Sequence, residues 1–308
     1  MAKIRLISKS LLKKKFSSIK SPKKPEWIKV KYPNKNILST KSTIDNYNLV
    51  TVCEEALCPN IAECWSKKHA TFMLLGDVCT RSCSFCNIQT GNPKQIDKLE
   101  PVKIAKAVKN LNLNHVVITS VDRDDLPDGG AFHFVNTINL IKTLSPNVTI
   151  EILTPDFKNK KNSINIITKA DFNVFNHNLE TVKDFYKEIR PGANYNYSLS
   201  ILKSVKDNKP NIFTKSGFMI GLGETLNQIN ELMDDLLEAK VDFITIGQYL
   251  RPSINHYPVI KYHKHNIFNY LKKTAIQKGF KAVSSSPFAR SSYKNEEEYR
   301  LIDSKLSQ

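Results

Sequence analysis

The chain has 308 residues, of which 41% are hydrophobic and 24% charged, an ordinary balance for a soluble globular protein with one large core or two smaller ones. No apolar run approaches the ~20 residues of a membrane-spanning helix, so neither a membrane span nor a membrane partner is expected. The formal net charge is +17, but residues 1–50 hold 13 Lys/Arg against Glu26 and Asp45, which leaves only +6 for the remainder.

That excess defines the first element, a basic N-terminal arm over residues 1–45, expected to be partly disordered. Three readings fit it: a solvated tail, a docking segment for an acidic partner, or a targeting peptide. The first 25 residues lack acids, as transit peptides prefer, but they are Lys-rich with a single Arg5, and "LISKSLLKKKF" has no continuous apolar stretch for a secretory signal. Residues 46–69 follow with three cysteines, Cys53, Cys58 and Cys64.

From residue 70 short apolar, β-branched runs alternate with helical stripes. The runs 71–76, 115–120, 148–155, 172–178, 216–223 and 242–250 read as buried strands. The segments around 101–112, 131–144, 161–170, 180–188, 196–207, 225–240 and 262–278 read as helices. Pro101 suits a first helical turn and Thr225 an N-cap. Strand–helix alternation repeated six times gives an α/β fold with a parallel sheet. The expected architecture is a partial (β/α)6 barrel over 70–280, with a doubly wound flat sheet as the runner-up. Residues 281–308 are expected to be a C-terminal extension.

The six cysteines fall in two adjacent triplets. This is no framework for disulfides, and it argues for a reducing compartment and for metal ligation. Cys79, Cys83 and Cys86 are spaced C-x3-C-x2-C directly after the first strand, where parallel α/β folds collect their chemistry. A structural zinc site wants four ligands, and no fourth Cys or His lies nearby in the sequence. Three thiolates also suit a 4Fe–4S cluster. The spacing, with Phe85 between two of the ligands, resembles the radical S-adenosylmethionine (SAM) enzymes. That resemblance implies a partial six-unit barrel, and a cluster whose open iron chelates SAM and yields a 5′-deoxyadenosyl radical.

The first triplet, C-x4-C-x5-C, is a less common metal spacing, and three buried thiols would read the same. Followed by the second triplet, it resembles the lipoyl synthase family. "CEEALCPNIAECW", "VVITSVDRDDLPDGGA", "VFNHNLETV", "TKSGFMIGLGET", "GQYLRPS" and "PFARSSY" look like blocks of that family in its order, over about residues 46–300. Asn295 departs from the family's usual Ala. The resemblance implies that Cys53, Cys58, Cys64 and Ser292 hold an auxiliary 4Fe–4S cluster, so that the chain carries two. It also implies a sulfurtransferase that inserts two sulfurs, at C6 and C8, into a protein-bound octanoyl-lysine, with the auxiliary cluster as sulfur donor. The catalytic set is then Cys79, Cys83, Cys86 and Ser292.

Polar groups at strand ends are the candidates for SAM: Thr119, Ser120 and Asp122 after the second strand, and Gly221 and Gly223 after the fifth. A tight turn would also explain the glycines. His177 either faces the cavity or is a hydrogen-bonded core residue, and Arg290 is placed to position the auxiliary cluster or a substrate carbonyl. The implied partners are octanoylated lipoyl carrier domains (the 2-oxoacid dehydrogenase E2 subunit and the glycine cleavage H protein), a ferredoxin- or flavodoxin-type reductant, and an iron–sulfur carrier for cluster repair. Nucleic acid is not among them. The expected location is cytoplasmic, or mitochondrial or plastid if residues 1–25 act as a transit peptide. Two rivals remain: a zinc-stapled nucleic-acid-binding protein using the Lys-rich arm, and another radical SAM sulfur-inserting or methylthiolating enzyme. "NHNLE" and "RSSY" count against the second.

Overall fold

A computed structural model describes residues 16–29, 37–160 and 162–292, together with positions 298, 301 and 304. Residues 1–15 of the basic arm, and Asn295, lie outside the described residues.

Three helices given in full among the described residues precede the sheet: α1 (Ile37–Asn46), α2 (Val52–Glu55) and α3 (Ile61–Ser66). The main sheet has seven parallel strands: β1 (Thr71–Leu74), β4 (His115–Ser120), β5 (Thr149–Leu153), β6 (Val174–Asn176), β7 (Phe213–Ile220), β8 (Phe243–Gln248) and β9 (Ala282–Ser285). They lie side by side in sequence order, each paired with the next. Every crossover therefore steps the same way, as a barrel requires and a doubly wound sheet forbids. β1 and β9 do not pair with each other, so the barrel is open. β2 (Val78–Cys79) and β3 (Gln89–Thr90) form a separate two-stranded ribbon around the second cysteine loop.

All six expected strands are present. The seventh, β9, extends the sheet past residue 280, where the sequence placed the start of an extension. Its second half is Ser284–Ser285, so it lacks the apolar run that marked the others. β7 begins three residues early, because Thr214 and Lys215 hide polar side chains within buried backbone.

The crossover helices are α4 (Glu100–Leu111), α5 (Ala131–Leu144), α6 (Ser163–Ile167), α7 (Tyr186–Ile189), α8 (Tyr195–Asn208), α9 (Leu226–Glu238) and α10 (His265–Lys278). The helix expected at 161–170 shrinks to one turn and a half. The one at 180–188 becomes a 3-10 turn, Lys183–Phe185, leading into α7. α4 has Pro in its first turn and buries Ile104, Ala105, Val108 and Leu111, the stripe read from sequence. Thr225 and Gln228 close a reciprocal capping box on α9, which buries Ile229, Leu232, Met233 and Leu236; Leu226 is exposed.

Alternation along the strands separates two environments. Ile150, Ile152, Phe175, Ile244 and Ile246 pack toward the helices in the principal core. The intervening residues face the barrel interior. At its lower end Val174, Phe213, Phe243 and Ala282 form a small apolar floor, with Phe213 and Phe243 stacked at 4.6 Å. Above it the interior is polar. Asn176 Nδ2 donates to Glu151 Oε1 at 2.7 Å, and the buried Lys215 ammonium lies 3.4 Å from Glu151 and 2.6 Å from Glu298. Glu298 thereby ties the segment beyond β9 into the barrel.

That segment crosses β7 and β8 where each has a glycine. A Cβ on Gly217 would meet Ser291 Oγ at 2.6 Å, and one on Gly247 would collide with the Ala289 carbonyl. Glycine inside a strand here permits backbone to lie on backbone. Gly247→Ala is expected to lift residues 289–291 off the sheet at a cost of ~1–3 kcal/mol, the usual range for overpacking. Faster tryptic cleavage at Arg290 with an intact barrel circular dichroism spectrum would show it; unchanged cleavage would refute the crossing.

Candidate active site

The second cysteine loop is fixed by Arg81, which stands between Cys79 and Cys83. The guanidinium is buried and reaches three carboxylates at the C-terminal ends of two strands. It forks onto Asp124 at 3.0 and 2.9 Å, donates to Asp156 at 2.8 Å, and lies 3.4 Å from Asp122. Burial works against its charge, but the carboxylates outweigh it and hold the pKa above the ordinary arginine value. Thr80 adds backbone and side-chain bonds to Asp122 O at 3.0 and 2.9 Å. Ser84 N–H donates to Ile189 O at 2.9 Å, which joins the loop to α7.

None of the six thiols is in a disulfide; Cys53 and Cys79 are buried and the other four half-buried. Cys79 Sγ lies 3.7 Å from Asp122 Oδ2 and accepts Arg81 N–H at 3.4 Å. Burial, then the Asp122 charge, raises the Cys79 pKa. Burial pushes Cys83 up to about 12, against the pull of Arg190. Cys83 and Cys86 line a cavity of about 220 Å³ with Asn87, Thr90 and His256.

The first triplet lines a second, tighter cavity. Cys53, Cys58 and Cys64 meet Ser292, Arg290 and His115 there. Residues from both ends of the described chain thus share one wall, and Asn60 Nδ2 donates to Phe288 O at 2.7 Å to hold them together. Burial pushes Cys53 up to about 11 and Cys64 up to about 12, and neighbouring thiols add to both. Cys58 is also raised by burial, but Arg290 opposes the rise. The two cysteine segments touch through Asn87 Nδ2, which donates to Glu55 O at 2.9 Å.

Buried thiols of this kind are poor thiolates unless positive charge is brought to them, which is what metal binding does. Among the described residues no three His, Cys, Asp or Glu side chains converge to grip a single ion. Instead the first triplet borders one space, and Cys83 and Cys86 of the second border another; ligands set around a space suit the corners of a multi-iron cluster, each thiolate taking its own iron. The donor sets fit that group.

A model of the radical SAM superfamily matches residues 73–236, just over half of the chain. The chain belongs to the radical SAM superfamily. Similar solved structures share its fold at low identity. SuiB of Streptococcus suis bound to S-adenosylmethionine is 16% identical, with a TM-score of 0.57 over 73% of this chain and 53% of SuiB. Methylornithine synthase (PylB) is 13% identical, with a TM-score of 0.52 over 92% of this chain and 88% of that one. The FeFe-hydrogenase maturase HydG from Carboxydothermus hydrogenoformans is 12% identical, with a TM-score of 0.51 over 88% and 83%. The chain spans only about half the length of SuiB. A 4Fe–4S cluster and SAM are the superfamily's cofactors, and no helix among the described residues is long and apolar enough to cross a membrane.

Within this radical SAM barrel the remaining sequence candidates divide. Thr119 Oγ1 donates to Leu153 O at 2.9 Å, so its hydroxyl is engaged in the sheet. Ser120 Oγ is buried with no hydrogen-bond partner among the described residues. Asp122 borders Cys79 and Arg81, and its pKa is raised by burial despite the arginine. Gly221 and Gly223 have positive φ, 103° and 119°, in the turn after β7. The Gly221 and Leu222 amides donate to Glu224 at 2.6 and 2.9 Å, so the turn itself accounts for the glycines. His177 is a core residue: Nδ1 lies 2.8 Å from Thr154 O and Nε2 3.0 Å from Ser198 Oγ. Arg81, Asp156 and Arg190 had not stood out in the sequence. Arg190 is buried and donates to Asn178 O at 2.7 Å and Tyr186 Oη at 2.6 Å.

Burial, helped by Arg190, lowers the His177 pKa to about 4, so the folded protein holds it neutral while an unfolded chain would protonate it near 6.5. Stability from this group is full above pH 6.5 and is lost as pH falls through 4, up to ~3 kcal/mol. Denaturant melts between pH 7 and 4 are expected to be flatter for His177→Gln than for the wild type; equal slopes would sink the assignment. Arg81→Lys loses both forks around buried carboxylates and should cost ~3–5 kcal/mol by the same assay.

Proposed function

We propose that the chain is a lipoyl synthase, inserting sulfur at C6 and C8 of an octanoyl chain held in amide linkage on a carrier-protein lysine. The observation that carries this reading is the shared cavity of Cys53, Cys58, Cys64 and Ser292, beside a superfamily barrel that has its own triplet. A second set of three thiols joined by a distant serine is hard to explain by one cluster alone. The target C–H bonds are not acidic, so acid–base side chains have nothing to act on. When bound, the cluster at Cys79, Cys83 and Cys86 with SAM would supply hydrogen abstraction, and a cluster at the first triplet would supply sulfur.

The chain's own groups prepare those places. The Arg81 knot fixes the second loop on the strand ends, Asn87 joins the two cysteine segments, and Asn60 brings the tail to the first triplet. Arg290 favours the thiolate at Cys58. A serine oxygen is harder and more basic than a thiolate, so it makes the more easily protonated ligand. Octanoylated E2 and H-protein domains, a ferredoxin- or flavodoxin-type reductant and a cluster-repair carrier are the matching partners, in a reducing compartment such as the cytoplasm.

Anaerobic reconstitution should give about eight irons per chain, with equivalent sulfide, if both cavities hold 4Fe–4S clusters. A ceiling of four would remove the sulfur-donor role. Cys79→Ala should abolish 5′-deoxyadenosine formation, whereas Cys53→Ala should retain it and yield no lipoyl product; lipoyl product from Cys53→Ala contradicts the proposal. Ser292→Cys is expected to assemble both clusters yet release sulfur slowly in single-turnover assays.

A further inference from the structure

The basic arm was the one sequence feature left without a task. The first described stretch of it, residues 16–29, is docked on the barrel, and the docking is specific; residues 37–45 belong to α1. Arg251, in the segment after β8, collects the arm's backbone: its guanidinium donates to Phe16 O at 2.9 Å, Ile19 O at 2.9 Å and Ser21 Oγ at 3.2 Å. The same guanidinium donates to Ile254 O at 2.6 Å and His256 O at 2.9 Å, so one group organises both the arm and the loop beneath it. Val259 N–H donates to Ser21 Oγ at 3.0 Å. The Phe16 ring is 2% exposed and meets Tyr257 edge-on at 5.2 Å.

The loop under the arm is tied in turn to the second cysteine triplet. Tyr257 N–H donates to Ser84 O at 2.9 Å, and His256 Nε2 lies 3.0 Å from Cys86 O. Phe16 borders the same cavity as Cys83 and Cys86. An aromatic ring more than 230 residues distant in sequence from its arginine anchor thus forms part of the wall facing two cluster thiols.

We propose that residues 16–21 are a strap that completes the radical cluster's site: held by Arg251, it sets Phe16 as the outer wall of the cavity at Cys83 and Cys86 and keeps water and dioxygen from that edge. An apolar ring is suited to this, since it offers no hydrogen bond to a water molecule and fills space that a disordered tail would leave open. The strap rests on superfamily membership alone, so it stands or falls independently of the sulfur-insertion reading.

The test compares thiol release in full-length, anaerobically reconstituted protein. Air is admitted, thiols freed from the clusters are trapped with iodoacetamide, and each is assigned by peptide mass spectrometry. In Phe16→Ala, and in Arg251→Lys, labelling of Cys83 and Cys86 is expected to accelerate about tenfold, the factor lost with one modest local closure. Cys53 and Cys64 should keep the wild-type rate, and Phe16→Leu should restore protection. Ser21→Ala removes the side-chain contacts to Val259 and Arg251 but leaves the Arg251 bonds to Phe16 O and Ile19 O, and serves as a milder second variant, expected between the two. Equal labelling of Cys83 and Cys86 in wild type and Phe16→Ala would overturn the strap. Acceleration spread evenly over all six thiols would overturn it too, because it would mean general loosening rather than a wall removed.

Discussion

One buried guanidinium governs where the chemistry can happen. Arg81 sits inside the second cysteine loop, yet its partners belong to the ends of β4 and β5. A charge so deeply placed is tolerated only while its carboxylates surround it. The loop therefore cannot drift from the mouth of the barrel without exposing unpaired charge on both sides. The positions of Cys79 and Cys83, one on each side of Arg81, follow from that electrostatic knot more than from the short ribbon of β2 and β3.

The tail is governed differently, by space. Gly217 and Gly247 open a shallow path across two strands, and Lys215 within the barrel holds Glu298. Ser292 lies between these two fastenings, on the wall of the first cavity. A polar barrel interior is costly unless its groups are paired, and here the pairing also anchors a chain segment.

The sequence showed most of the sheet because its strands are apolar runs with clear breaks. It missed β9, whose serines look like a turn, and it overextended two helices through Asn- and Lys-rich stretches that carry enough apolar residues to mimic a stripe. The cysteines were legible because ligand spacing is local. Arg81 was printed between two of them and still gave no signal, since Asp156 lies 75 residues away and only folding makes them neighbours. The same holds for Phe16 and Arg251, and it is why the sequence left the arm between a solvated tail, a docking segment and a targeting peptide. His177 went the ordinary way of a buried imidazole, with both ring nitrogens engaged.

The bond from Asn60 to Phe288 spans 228 positions of chain. The strands between them pair with their immediate successors, so the barrel rests on near neighbours in sequence whereas this junction joins distant ones. The first cavity is complete only where residues beyond β9, Arg290 and Ser292 among them, reach the first triplet. A nascent chain halted shortly after β9 would pass for a folded protein by its sheet and helices, and would lack the pocket that distinguishes it.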